Sequence, residues 1–163
     1  MKYYLDCEFD GFKGALLSLA LVREDGYAFY GTCPILQRCD PWVAENVVPL
    51  LYDVPPSTNH IIHRQPRFRT YLEAYIGLDP APHVVADDEQ DIMYLCEQLK
   101  DSGGTYAPST LPGLTFEVAR VDAYPTTLPG AVQHNAYWDA MALRHYFEQR
   151  ELDQLELFNR DVS

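Results

Sequence analysis

Three short stretches place carboxylates where a folded chain would bury apolar side chains. In YYLDCEF, Asp6 and Glu8 stand two apart, so on a strand both point to one face while Cys7 points to the other. In ADDEQDIMYLCEQL, Asp91 lies four residues before Leu95 and eight before Leu99, at the head of an apolar helical row. In HNAYWDAMAL, Asp139 lies four before Leu143 and heads the row Leu143, Tyr146, Phe147; His134 precedes it by five residues. A carboxylate on a core-facing row costs several kcal/mol unless a partner, a proton or a metal ion compensates it. One pair of divalent cations would compensate Asp6, Glu8, Asp91 and Asp139 together.

That set of residues defines a chemistry. Four carboxylates around two Mg²⁺ or Mn²⁺ ions, about 3.5–4 Å apart, form a phosphodiester-cleaving centre: one ion acidifies the attacking water and the other stabilises the leaving oxygen. Oxygen ligands without cysteine favour Mg²⁺ or Mn²⁺ over Zn²⁺. An imidazole titrates near neutral pH, so His134, reaching in from a loop, can take the proton of that water. Asp87 and Asp88 precede the Asp91 helix, and either suits its N-cap, so Asp91 is taken as the functional acid of that stretch.

The elements that must position these residues can be read in order. Residues 2–9 and 15–22 (ALLSLALV) have the pattern of strands, and the turn REDG leads to a third over 27–33 (YAFYGTC), giving an antiparallel three-strand meander. A helix is expected over 41–51, opened by Pro41 and closed early by Pro49, and another over 68–77, stopped by Gly77. Between them, 52–66 reads as loop. Two β–α units follow: strand 83–87 with helix 89–101, then strand 115–121 with the HNAYWDAMAL helix, joined by a Pro/Gly-rich connection from 102 to 114 and a loop over 125–133. A mixed α/β sheet with helices on both faces fits this order, as a single domain over 1–163 whose tail, 151–163, is a polar extension with room for one short helix. Ligands of such sheets gather at strand ends and helix starts, where the acids lie.

Composition narrows the partners. The formal charge of −12 argues against a protein that coats nucleic acid, because phosphate affinity rests largely on Lys and Arg. It leaves room for an enzyme that holds one chain end in a metal-loaded pocket. No run of about 18 apolar residues suggests a membrane span, and the acidic start MKYYLDCEFDG lacks the apolar core of a signal peptide. Cys7, Cys33, Cys39 and Cys96 have no zinc-type spacing and read as reduced thiols of a cytoplasmic protein.

With D-x-E on a first strand, an Asp early in a middle helix and H-x-A-x-x-D at a late helix start, in that order over 6–139, the chain resembles the DEDDh branch of the DEDD 3′–5′ exonucleases. Its short length, ENVVPLL and ADDEQDIMYL resemble the small stand-alone bacterial exoribonucleases within it. The resemblance implies a ribonuclease H-like fold, with Asp6, Glu8, Asp91 and Asp139 as metal ligands and His134 as general base. It also implies stepwise release of 5′-monophosphates from the 3′ end of single-stranded RNA, and often a homodimer. The stretch after Glu8 departs from the usual small residue: it reads Phe9-Asp10-Gly11-Phe12, where an aromatic ring could stack on a base and Asp10 would repel a phosphate. Arg64 and Arg67, in the cluster HRQPRFR with His63 and Arg69, suit phosphate contacts, and Tyr137 or Trp138 could form a stacking wall.

Two other readings stand beside this one. A 3′–5′ DNA exonuclease would use the same acids, since discrimination rests on contacts to the 2′-OH. A catalytically silent nucleic-acid-binding module on the same fold would be expected to have lost some of the five residues. A Ca²⁺-binding structural protein would need an EF-hand-like D-x-D-x-D-G loop, which the chain lacks.

Overall fold

The computed structural model describes residues 1–58, 60–62, 68–77, 79–100, 111 and 113–161. Strands β1 (Lys2–Phe9), β2 (Leu16–Arg23) and β3 (Ala28–Thr32) form the antiparallel meander, with Leu5 opposite Leu21 and Leu19 opposite Gly31. A short strand, β4 (His60–Ile62), adds parallel to β3 at one edge. On the other side β5 (His83–Ala86) runs parallel to β1, and β6 (Thr115–Val118) parallel to β5. The six strands stand in the order β4-β3-β2-β1-β5-β6.

The edge strand β4 corrects the expectation of loop over 52–66. Three residues are too few to carry a period of two, so only the free edge of β3 makes them a strand. Helix α1 (Pro41–Asn46) is capped by Asp40, whose carboxylate accepts from the Trp42 amide at 2.9 Å. It gives way to a 3-10 turn over Val48–Leu50, where Pro49 has no N–H to continue it. Helices α2 (Arg69–Ile76) and α3 (Glu89–Gln98) fall where the apolar spacing put them. Helix α4 (Ala136–Asp161) runs unbroken for 26 residues, so the expected separate tail helix is its last three turns. Residues 151–159 are exposed there, yet strong helix formers and the absence of Gly or Pro let the helix propagate without packing.

Strand alternation divides the core between the two faces of the sheet. Tyr3, Leu5 and Cys7 of β1 join Leu19, Leu21 and Phe29 under α2 and α3, against Leu72, Ile76, Tyr94 and Leu95. A Cβ added at Gly31 would lie 2.6 Å from the Phe68 ring, so glycine lets the start of α2 settle directly on the sheet. On the other face Tyr4 and Val85 meet Leu143, and Ala20, Val22 and Tyr30 meet Ala136 and Ala140 of α4. Helices thus cover both faces, and β1, flanked by β2 and β5, is central. Among the described residues no helix is long and apolar enough to cross a membrane.

Candidate metal centre

Asp6 and Glu8 share the β1 face that α4 covers, one and two pleats beyond the buried Tyr4. Both are half-buried. The pairing of β1 with β2 slips between Glu8 and Phe9, because Glu8 faces Ser18 and Phe9 faces Leu16. Leu17 is the extra residue of this bulge, and such irregularities commonly re-aim side chains beside a site. Beyond it the turn at Gly11–Gly14 closes tightly: a Cβ at Gly14 would overlap the Asp10 carbonyl oxygen. The Asp10 carboxylate accepts from the Asp40 amide at 2.7 Å, tying the end of β1 to the start of α1.

The parallel neighbour β5 ends level with these acids, and α3 begins just after it. Asp88 is the N-cap of α3, accepting from the Gln90 amide at 2.8 Å. That leaves Asp87 free of the capping role and turns Asp91, in the first turn, onto the sheet, where it is 3 % exposed. Asp139 lies in the first turn of α4. There Asn135, fully buried, takes the Tyr137 amide on its Oδ1 at 3.0 Å, donates its Nδ2 to the Leu50 carbonyl at 2.6 Å, and gives its own amide to Asp139 Oδ2 at 3.0 Å. One asparagine therefore starts the helix, docks it on the 3-10 turn and fixes the carboxylate.

The acids converge in two groups whose ligand oxygens lie within 4.8 Å of one another: Asp6 with Asp87 and Asp91, and Asp6 with Glu8 and Asp139. Asp6 belongs to both. All four sequence-predicted acids are brought together, and Asp87 joins them. Its only sequence signal was its place directly after a strand.

The electrostatics are those of uncompensated charge. Burial, then the charges of Asp91, Asp139, Glu8 and Asp87, raises the Asp6 carboxyl well above its ordinary range. Burial pushes Glu8 up to about 8, with Asp139 adding to it. Asp91 is pushed up to about 8 by burial and the charges of Asp87 and Asp88. Asp139 reaches about 7 through burial, although the backbone amides of Asn135 and His134 oppose the rise. Asp87 is raised as well, again chiefly by burial. Among the described residues no basic side chain forms an ion pair with any of these five. An oxygen-only donor set with no counter-charge among the described residues fits hard divalent cations such as Mg²⁺ or Mn²⁺.

His134 has a left-handed backbone, with φ of 61°, an uncommon state for a residue with a Cβ. Its exposed ring meets the half-exposed Trp42 edge-to-face, at 5.1 Å between centroids. His134 thus belongs to neither acidic group, and it reaches Asp139 through its backbone amide rather than its ring.

The residues named for substrate contact separate. Phe12 is 76 % exposed on the turn after β1. Phe9 is stacked on Tyr94 at 4.8 Å, toward the α3 face. Tyr137 packs edge-on against Tyr30, and the Trp138 indole donates to the Asp53 carbonyl at 2.8 Å. Arg69 is held by Glu73 on its own helix at 2.6 Å. His63, Arg64 and Arg67 lie outside the described residues, as does most of the 102–114 connection.

No protein-family model matches this chain, and neither does any curated protein.

Proposed function

We propose that this protein is a two-metal-ion 3′–5′ exoribonuclease, removing nucleotides from the 3′ end of single-stranded RNA and releasing 5′-monophosphates. The observation that carries the reading is the convergence of Asp6, Glu8, Asp91 and Asp139, from one strand and two helices, into two groups that share Asp6 and, among the described residues, form no ion pair with a basic side chain. An antiparallel meander continued by parallel strands, with acids on the central strand and on the helices that follow, is also what a ribonuclease H-like exonuclease requires. Four free thiols agree with a cytoplasmic setting.

Asp6, Glu8, Asp91 and Asp139 would hold the two ions, which when bound acidify a water and neutralise charge on the scissile phosphate. The protein's own residues then have separate tasks. Asp6, common to both groups, sets the distance between them. Asp139, fixed by two backbone amides, cannot swing away from its group. His134, exposed just before Asp139's helix, takes the proton of the attacking water as its oxygen bonds to phosphorus. The bond from phosphorus to the 3′ oxygen breaks, and that oxygen takes a proton from solvent as it leaves, while His134 returns its own to solvent. Phe12, exposed on the turn after β1 with the Lys13 ammonium over its ring at 5.1 Å, is assigned the stacking on the terminal base.

The test is incubation of the purified protein with 5′-labelled single-stranded RNA, or its DNA counterpart, in Mn²⁺, Mg²⁺ or EDTA, with Asp139→Ala alongside. The expected result is a metal-dependent ladder that shortens one nucleotide at a time from the 3′ end of RNA and is lost in the variant. Faster shortening of DNA would make the protein a DNA exonuclease. No cleavage of either strand would overturn the enzymatic reading in favour of a silent binding module.

A further inference from the structure

We infer that Asp87 is a fifth carboxylate of this centre, completing with Asp6 and Asp91 the second of two cation sites of three carboxylates each. The inference rests on the two-metal reading and adds a ligand to it. Without Asp87, the four acids divide unevenly: Asp6, Glu8 and Asp139 make one group, while the α3 side is left with Asp91 and the shared Asp6. The oxygens of Asp6, Asp87 and Asp91 lie within 4.8 Å of one another, the same span as the other group.

Four further observations separate Asp87 from an ordinary surface acid. The capping role at α3 is already filled by Asp88, so Asp87 is not needed to start the helix. The Asp91 carboxylate, which faces it, is 3 % exposed and forms no ion pair among the described residues; the Cys7 backbone amide is all that offsets its burial, which leaves its charge to a cation or a proton. Arg120, whose charge acts on Asp87, is 68 % exposed and is paired with Glu89. Asp87 follows β5 directly, and β5 is paired with β1 through Leu5 and Ala86, so Asp87 is held at the level of Asp6 by the sheet itself.

The consequence is one of charge and of stoichiometry. Five carboxylates against two divalent ions leave one negative charge, so both sites can fill before a phosphate arrives. The experiment is a Mn²⁺ titration followed by electron paramagnetic resonance, on the wild-type chain, Asp87→Asn and Asp88→Asn, each checked for folding by circular dichroism. Asparagine at 88 keeps the helix cap and removes the same unit of charge one residue further along the chain. The expected result is two bound ions per chain in the wild type and in Asp88→Asn. Asp87→Asn should bind one ion as before and the second at least tenfold more weakly. Two ions of unchanged affinity in Asp87→Asn would overturn the inference and leave the four-acid centre standing. Equal weakening in both variants would also overturn it, because the effect would then be general charge. No Mn²⁺ bound by the wild type would overturn the two-metal reading itself.

Discussion

The two faces of β1 share one backbone and have opposite characters. On one face Tyr3, Leu5 and Cys7 are 1, 0 and 5 % exposed and closed over by α2 and α3. On the other, Tyr4 is sealed against Leu143 and Phe147, and then the strand presents Asp6 and Glu8 to three further acids. The first face is satisfied by the protein alone. The second is satisfied sterically and left electrostatically open. The rigidity needed to hold repelling carboxylates together comes from the apolar face, because alternation locks each acid to a core neighbour one residue away. A site of this kind stores unfavourable charge where the fold is least able to yield.

The sharpest way to break the comparison is to remove one side chain from each face. Asp139→Ala should lower exonuclease activity below detection while leaving metal-free stability unchanged or higher, since a buried repulsive charge is gone. Leu5→Ala should do the reverse, costing about 2–5 kcal/mol of stability by opening a cavity in the core. Urea unfolding in EDTA reads both; a less stable Asp139→Ala would mean that its carboxylate is structural.

His134→Ala comes next, with a rate loss of roughly 10²–10⁴ and unchanged Mn²⁺ affinity. Loss of Mn²⁺ binding would instead make the histidine a ligand, in conflict with its place outside both acidic groups.

The pH dependence is a smaller effect of fixed sign. Glu8 and Asp91 are pushed up to about 8 and Asp139 to about 7, whereas unfolded carboxylates titrate near 4. Below about pH 4 both states are protonated, and the contribution to stability is fully present. From there to about pH 8 the native state keeps protons that the unfolded state has released, so metal-free stability should fall as pH rises. Thermal unfolding in EDTA across that window checks the slope, and a stability that climbs from pH 5 to 8 would contradict it. The smallest effect is that of Phe12→Ala, which should raise KM for RNA a few-fold and change stability by less than about 0.5 kcal/mol.

Much of this was legible in the sequence because it rests on period. The D-x-E alternation put Asp6 and Glu8 on one face, and the rows headed by Asp91 and Asp139 put both acids at helix starts facing the sheet. What was not legible rests on tertiary geometry. Asp87 and Asp88 are equivalent as caps until the path from β5 into α3 gives the cap to Asp88 and turns Asp87 toward Asp6. Asn135 carries the ordinary preference of asparagine for a helix start, but its second and third contacts depend on the 3-10 turn at Val48–Leu50. Phe9 and Tyr137 looked available for stacking because aromatic rings serve cores and ligands alike; here Tyr94 and Tyr30 already occupy them. β4 exists only because β3 offers it an edge.

The central claim is that the second face of β1 is built for cations, and thermal unfolding at pH 8 tests it most directly. The wild-type chain and Asp6→Asn would each be melted in EDTA and in Mn²⁺ at about a hundred times its dissociation constant. The account predicts that Mn²⁺ raises the wild-type Tm by roughly 5–10 °C and does little for Asp6→Asn, whose shared ligand is lost. A wild-type Tm indifferent to Mn²⁺, or an equal rise in both proteins, would contradict it.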